Sequence, residues 1–350
     1  MCVDGARLVS PALAGAPVEE FAEPLPLEPV DRIEVTTLVD NVSDVSLVNQ
    51  GPAKRYPLGK WPATPAEILE GGKGVDALQA EHGYSALVTI TKGKRVWRVL
   101  FDAGLSPDGL VGNMRRLELS PRDVDLVVLS HGHFDHTTGL NGFIHAVGGS
   151  VGMPVVIHPE FWTRRRVNFP GQDPVEIPST SRRALVEAGF DIIERPEPSF
   201  LLDRSLLVTG EVDRTSVFET GFRGHQARRN GRWEDDPLIL DDQALIANVA
   251  GRGLVVLTGC GHAGIVNILR YARRLVGVDR IYAAIGGFHL GGPMFERVIP
   301  PTVDAMVSLA PEVVVPAHCT GWRAQHALAA ALPDAFVPNS VGTRFELTGG

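Results

Sequence analysis

The chain is poor in cysteine, with three in 350 residues: Cys2, Cys260 and Cys319. They show no paired spacing, so a disulfide framework is excluded as the organising device. Long apolar runs are missing too. None reaches the roughly 18 to 20 residues that span a bilayer. The first residues show no basic segment leading into an apolar core, so no secretory signal is read there. Positive charge is also short: 33 Lys and Arg stand against 41 Asp and Glu, a formal net charge of -8. That balance argues against a general pull toward nucleic acid or an anionic membrane. The expectation is a cytoplasmic protein with neither as partner, its homo-oligomeric state left open.

What is present is enough apolar material for a large core, 44% of the residues, in regularly spaced runs. Residues 1–30 are rich in Pro, Ala and Glu and read as a loose tail; 31–350 read as one catalytic domain. Arg32 to Asp40 has strand composition. Residues 50–75 read as a long surface loop. Ser85 to Thr91 and Arg95 to Phe101 read as strands joined by a Lys92-Gly-Lys94 turn. Residues 160–235, Arg-rich and broken by Pro and Gly, read as an insertion.

Four short apolar runs each lead into a loop that carries histidine. Val124 to Leu129 precedes Ser130-His131-Gly-His133-Phe-Asp135-His136. Leu254 to Leu257 precedes Thr258-Gly-Cys260-Gly-His262. Ile281 to Ile285 precedes Gly286-Gly-Phe-His289, and Val313 to Val315 precedes Pro316-Ala-His318-Cys319. Helical patterns follow two of them, at Ile265 to Leu275 and Trp322 to Leu332. Continuous β-branched and aliphatic runs are typical of strands covered on both faces. Strands alternating with helices predict a layered α/β body, with its site at the strand ends.

A single histidine is more often packed or exposed than ligating, and His145, His158, His225 and His326 are read that way. The cluster is different. Three imidazoles and a carboxylate within six residues suit Zn, Mn or Fe. They cannot all face one metal at helical spacing, but a tight loop can aim them, with Gly132 letting the backbone turn. The chain is therefore expected to be a metal-dependent enzyme built around His131, His133, Asp135 and His136.

His131-Gly-His133-Phe-Asp135-His136 resembles the signature of the metallo-β-lactamase superfamily, and Phe101-Asp-Ala-Gly104, His262 and His318 follow in the fitting order. The likeness spans roughly residues 33 to 347. It implies an αββα sandwich, two mixed β-sheets flanked by helices, with two metals at one edge, zinc first among them. By the resemblance, His131, His133 and His262 would hold one metal, and Asp135, His136 and His318 the other. Asp102 would orient the ligand loop from behind. Where most dinuclear members carry a bridging aspartate, this chain has Gly286-Gly-Phe-His289. His289 is read as either a ligand or a substrate contact.

Leu38-Val-Asp-Asn41, Glu81-His-Gly-Tyr-Ser85, Asp241-Asp-Gln-Ala-Leu245, Gly259-Cys-Gly-His-Ala-Gly264 and His318-Cys-Thr-Gly321 resemble one branch of that superfamily. It contains the dihydropterin–ribofuranosylaminobenzene 5′-phosphate synthase and many proteins known only as metal-dependent hydrolases. The leading expectation is a hydrolase in which a metal-bound hydroxide attacks an ester or phosphoester of a small anionic molecule. Asp135 would align the nucleophile and His289 would protonate the leaving group. The alternatives are a transferase joining a dihydropterin pyrophosphate to an arylamine ribose phosphate, and a non-catalytic or redox metal protein. Glu81, His82, Cys260, Gly261 and Cys319 are candidate pocket residues, the cysteines read as small buried groups. Gly259 to Gly264, before a helix, is a candidate anion cradle; the alternative is a turn that only brings His262 to the metal. The arginines at 164–166 and 223–232 are candidate phosphate contacts, weighed against a solvated surface. Asp241 and Asp242 would cap a helix or support the site.

Overall fold

The computed structural model describes residues 9–11, 23–169 and 171–350. Most of the expected loose tail lies outside the described residues. Two large mixed sheets face each other. One has eight strands, in the order Asp191–Glu194, Pro154–Ile157, Leu126–Val128, Arg95–Phe101, Ser85–Lys92, Arg32–Val39, Arg344–Thr348 and Ala53–Lys54. The other has seven: Val9–Pro11, Ser199–Leu201, Leu206–Val208, Ala244–Val249, Gly253–Thr258, Ile281–Gly287 and Val313–Ala317. Helices cover both outer faces, giving the expected αββα sandwich.

The fully apolar strands are explained by burial on both sides. In Gly253–Thr258, Val255 and Leu257 point into the core between the sheets, while Leu254 and Val256 pack under helices. Val313–Ala317 repeats this, with Val313 and Val315 inward and Val314 outward. A period of two thus holds, but both faces are dry, so the sequence shows no polar alternation. The helices on this side are Ile265–Val276, Ile299–Leu309 and Trp322–Ala331. On the other side, Gly109–Arg116, Leu140–Val147 and Arg182–Glu187 pack over Leu87, Leu100, Val127 and Val155.

Parallel pairing sets the position of the site. Gly253–Thr258, Ile281–Gly287 and Val313–Ala317 run parallel, so the loops carrying His262, His289 and His318 leave one edge together. Arg95–Phe101, Leu126–Val128 and Pro154–Ile157 are likewise parallel in the facing sheet. They deliver Asp102 and the His131 loop to the same edge.

The stretch 160–235 divides in two. Arg165–Val167, Val175–Glu176, His225–Arg229 and Arg232–Asp235 form a separate four-stranded sheet. Asp191–Glu194, Ser199–Leu201 and Leu206–Val208 instead complete the two main sheets. These strands are three or four residues long, and the surrounding charge and proline hide them. Residues 50–75 also hold more order than a plain loop: Ala63–Pro65 pairs with Lys73–Val75.

Candidate metal centre

The His131 loop is held by two buried carboxylates. Asp102 is fully buried and accepts from Ser130 N and Ser130 Oγ, each at 2.7 Å. Its Oδ2 also lies 2.7 Å from His136 Nδ1. With Nδ1–H donating to this carboxylate, Nε2 is the nitrogen left to face a metal. Asp241 accepts from Gly132 N at 2.8 Å. Gly132 is required by close approach and not by a left-handed turn: a Cβ there would lie 2.2 Å from Phe161 O. The expectation that Gly132 serves to turn the chain is thus replaced by a packing reason.

Asp241 is itself gripped by Arg165, at 2.6 and 3.3 Å, and Arg165 also reaches Asp236 at 2.9 Å. Arg165 is 2% exposed. It is therefore neither a phosphate contact nor a solvated surface group, but an internal brace behind Gly132.

The candidate ligand atoms fall into two sets. In the first, His131 Nε2 and His133 Nδ1 are 3.0 Å apart, and the His262 ring centroid lies 4.8 and 4.9 Å from theirs. In the second, Asp135 Oδ2 lies 3.2 Å from His318 Nε2 and 3.7 Å from His136 Nε2. His318 is fixed by its neighbours. Its N–H donates to Asp40 Oδ1 at 2.7 Å, its carbonyl accepts from Asn41 at 3.1 Å, and its Nδ1 is 3.2 Å from Asn41 Oδ1. Asp102, His289 and His318 hold left-handed backbones, with φ of 59°, 44° and 41°. Such strain in non-glycine residues persists where surrounding structure enforces it, and it gathers at working sites.

The residues fit metal ions. His133 Nε2 and both ring nitrogens of His262 are buried without a hydrogen-bond partner among the described residues. Leaving such a group unsatisfied costs about 1–3 kcal/mol. Burial holds His131, His133 and His262 well below the usual imidazole range, hence neutral, which is the ligating form. Burial also opposes charge on His136, but Asp102 and Asp135 outweigh it and raise the imidazole to about 9. Asp135 is held ionised: burial works against it, and His136 and His318 overcome that.

The remaining sequence candidates separate. His289 flanks His262, with ring centroids 4.1 Å apart, and its Nδ1 has no partner among the described residues. It lines a mouth with Gly261, Phe222, Arg223, Phe295 and Arg297. His82 is largely exposed and lies 3.8 Å from Asp135 Oδ2. Glu81 is turned to the backbone, accepting from Leu105 N and Ser106 N at 2.8 and 3.0 Å. The start of the helix after His262 is already filled: Glu219 accepts from Val266 N and Asn267 N. Gly259 to Gly264 is thus a turn that carries His262, and the helix start behind it is closed by the Glu219 carboxyl. Asp242 accepts from Ala263 N at 2.8 Å and steadies that turn.

His225, read as incidental in the sequence, belongs to the site. Its ring centroid is 5.0 Å from that of His133 and 4.5 Å from that of Phe222. No spacing signals it, because it arrives on the small separate sheet.

Residues 80–318 match the metallo-beta-lactamase superfamily. The chain belongs to this superfamily. A protein of Methanocaldococcus jannaschii named 7,8-dihydropterin-6-methyl-4-(beta-D-ribofuranosyl)-aminobenzene-5′-phosphate synthase is 28% identical over 260 residues, 71% of this chain and 83% of the relative. An uncharacterized protein of the same organism is 32% identical over 246 residues, 70% of this chain and 86% of the relative. The crystal structure of Tm1679, described as a metal-dependent hydrolase of the beta-lactamase superfamily, superposes with a TM-score of 0.67 at 24% identity. It covers 90% of this chain and 99% of that one. This likeness establishes the fold. Metallo-beta-lactamase proteins use divalent metals, and this member has clusters of His, Asp and Cys side chains that could hold them. Among the described residues no helix is long and apolar enough to cross a membrane.

Proposed function

We propose that this superfamily member is a hydrolase that cleaves an ester or phosphoester of a small anionic molecule, with zinc as its metal and Mn or Fe as the other fitting ions. The observation that carries this reading is the convergence of His131, His133 and His262 with Asp135, His136 and His318 at one sheet edge, beneath an open mouth. Metal ions bound there lower the pKa of water and offset charge on a phosphoryl or carbonyl oxygen. The protein groups then have separate tasks. Asp102 and Asn41 lock the rings of His136 and His318. Asp135, kept ionised, aligns the attacking water. His289, which lines the mouth, passes a proton to the leaving oxygen. Phe222 and Phe295 form an apolar wall, and Arg223 and Arg297 at the rim offer donors to an anionic group.

A transferase reading is favoured by one observation, the 28% identity to a protein named as a synthase. In that reaction an arylamine nitrogen displaces pyrophosphate from a dihydropterin methylene, so water must be kept from the reacting carbon. Zinc-loaded protein is assayed on bis(p-nitrophenyl) phosphate and p-nitrophenyl esters, and in parallel on a dihydropterin pyrophosphate with an arylamine ribose phosphate. Zinc-dependent release of nitrophenol supports the hydrolase. Amine-dependent pyrophosphate release without it supports the transferase and overturns the hydrolase.

A further inference from the structure

Cys260 stands between the two ligand sets. Its Sγ is 3.2 Å from His136 Nε2. The ligand atoms of Asp135, His136, Cys260 and His318 all lie within 4.8 Å of one another, and so do those of His131, Cys260 and His262. The sulfur is common to both groups, and also to a third with His289 and Cys319. A tetrahedral site with bonds of about 2.1 Å to N or O and 2.3 Å to S has edges of about 3.3–3.6 Å. The edges here are 3.2 Å from Asp135 Oδ2 to His318 Nε2, 3.7 Å from Asp135 Oδ2 to His136 Nε2, and 3.2 Å from His136 Nε2 to the sulfur. These three separations lie near the edge lengths of such a site, and the remaining ones fall within 4.8 Å.

The surroundings select this sulfur over its neighbour. Cys260 is 3% exposed and lies in the same turn as His262. Gly259, just before it, has no room for a side chain: a Cβ would meet Ser130 Oγ at 2.1 Å and Asp102 Oδ2 at 2.5 Å. That contact seats the Cys260 turn directly on the carboxylate that orients His136. Cys319 is half-buried, and its thiol donates to Cys260 O at 3.3 Å. On the side toward His131 the buried nitrogens of His262 remain without partners among the described residues.

We propose that Cys260 Sγ is a metal ligand shared by the two sites, linking the His131–His133–His262 set to the Asp135–His136–His318 set. The proposal rests on the reading that both sets bind metal. On binding, the thiol gives its proton to solvent and the thiolate bonds to both ions. The consequence is a preference for Zn or Fe over harder ions such as Mn and Mg.

The test is X-ray absorption at the zinc edge on the full-length wild-type protein holding two zinc ions. The expected result is one sulfur neighbour per zinc at about 2.3 Å. Half a sulfur per zinc means a ligand to one ion only and overturns the shared position. No sulfur neighbour, or a protein that retains a single zinc, overturns it as well. Cobalt(II) substitution identifies the residue. The near-ultraviolet sulfur-to-cobalt band is expected to vanish in Cys260→Ser and to persist in Cys319→Ser, and the reverse pattern refutes the assignment. Should Cys260→Ser fail to fold, the sulfur count in Cys319→Ser decides: one sulfur per zinc is expected, and half a sulfur or none overturns the shared position. Bound metal without sulfur removes this inference alone. A chain that binds neither zinc nor cobalt removes the metal reading beneath it.

Discussion

Two adjacent arginines give the sharpest test of how the site is supported. Arg165 is 2% exposed and grips Asp241 and Asp236, which are 0% and 5% exposed. Arg164 is 53% exposed and pairs with Glu176 at the surface. Replacing Arg165 with Met removes one partner and leaves two carboxylates buried together. Breaking a buried ion pair in this way costs about 3–5 kcal/mol. Replacing Arg164 with Ala breaks a surface pair worth about 0–1 kcal/mol. The first loss is a large share of the roughly 5–15 kcal/mol that holds a domain together. The assay is urea unfolding of metal-free protein, with a zinc titration alongside. Arg165→Met is expected to lower the midpoint strongly at unchanged slope. It also weakens zinc binding, because Asp241 steadies Gly132 between the first two ligands. Arg164→Ala is expected to match wild type in both. Equal midpoints for the two variants would refute the bracing role of Arg165.

Asp102→Asn keeps the shape behind His136 but removes the charge that orders its ring, so zinc affinity at that set should fall about 10–100-fold, read by competition with a chromophoric chelator. An unchanged affinity would show that Asp102 orients nothing. Metal-free protein should be most stable near pH 6.5. Burial keeps His131, His133, His262 and His225 below their unfolded value of about 6.5, His225 at about 3. As pH falls below 6.5 the unfolded chain takes up protons that the folded one refuses, and each such group removes about 1.4 kcal/mol per pH unit. His136 has the opposite sign: raised to about 9, its contribution is complete below 6.5 and is lost as pH rises to 9. Melting curves from pH 4 to 10 check this, and a stability that climbs steadily to pH 9 would contradict it.

The parts of the site legible in the sequence share one property, that a residue and its signal sit on the same loop. His131 through His136, His262 and His318 each follow an apolar strand, and parallel pairing then brings those loops to one edge. Asp102 is legible only through the family resemblance. What was not legible depends on partners far along the chain. Asp241 is expected to cap a helix or support the site, but the Gly132 amide it holds lies 109 residues away, and Asp40 lies 278 residues from the His318 amide it holds. Arg165 looks like its solvated neighbours until folding buries it between two acids. His225 carries no local signal, and Cys260 reads as a small buried pocket residue because nothing in its loop shows that both candidate ligand sets lie close to its sulfur. The strands of the 191–208 stretch escaped for another reason: at three or four residues they are too short for a period to show.

The central claim is that this superfamily member holds metal on His131 and His133 with their partners. Metal analysis of protein purified without chelator tests it most directly. One to two transition-metal ions per chain are expected in the wild type, with most of that metal lost in the His131→Ala, His133→Ala double variant. A wild type that purifies and stays metal-free in excess zinc, or a folded double variant that keeps its full metal content, would contradict the account.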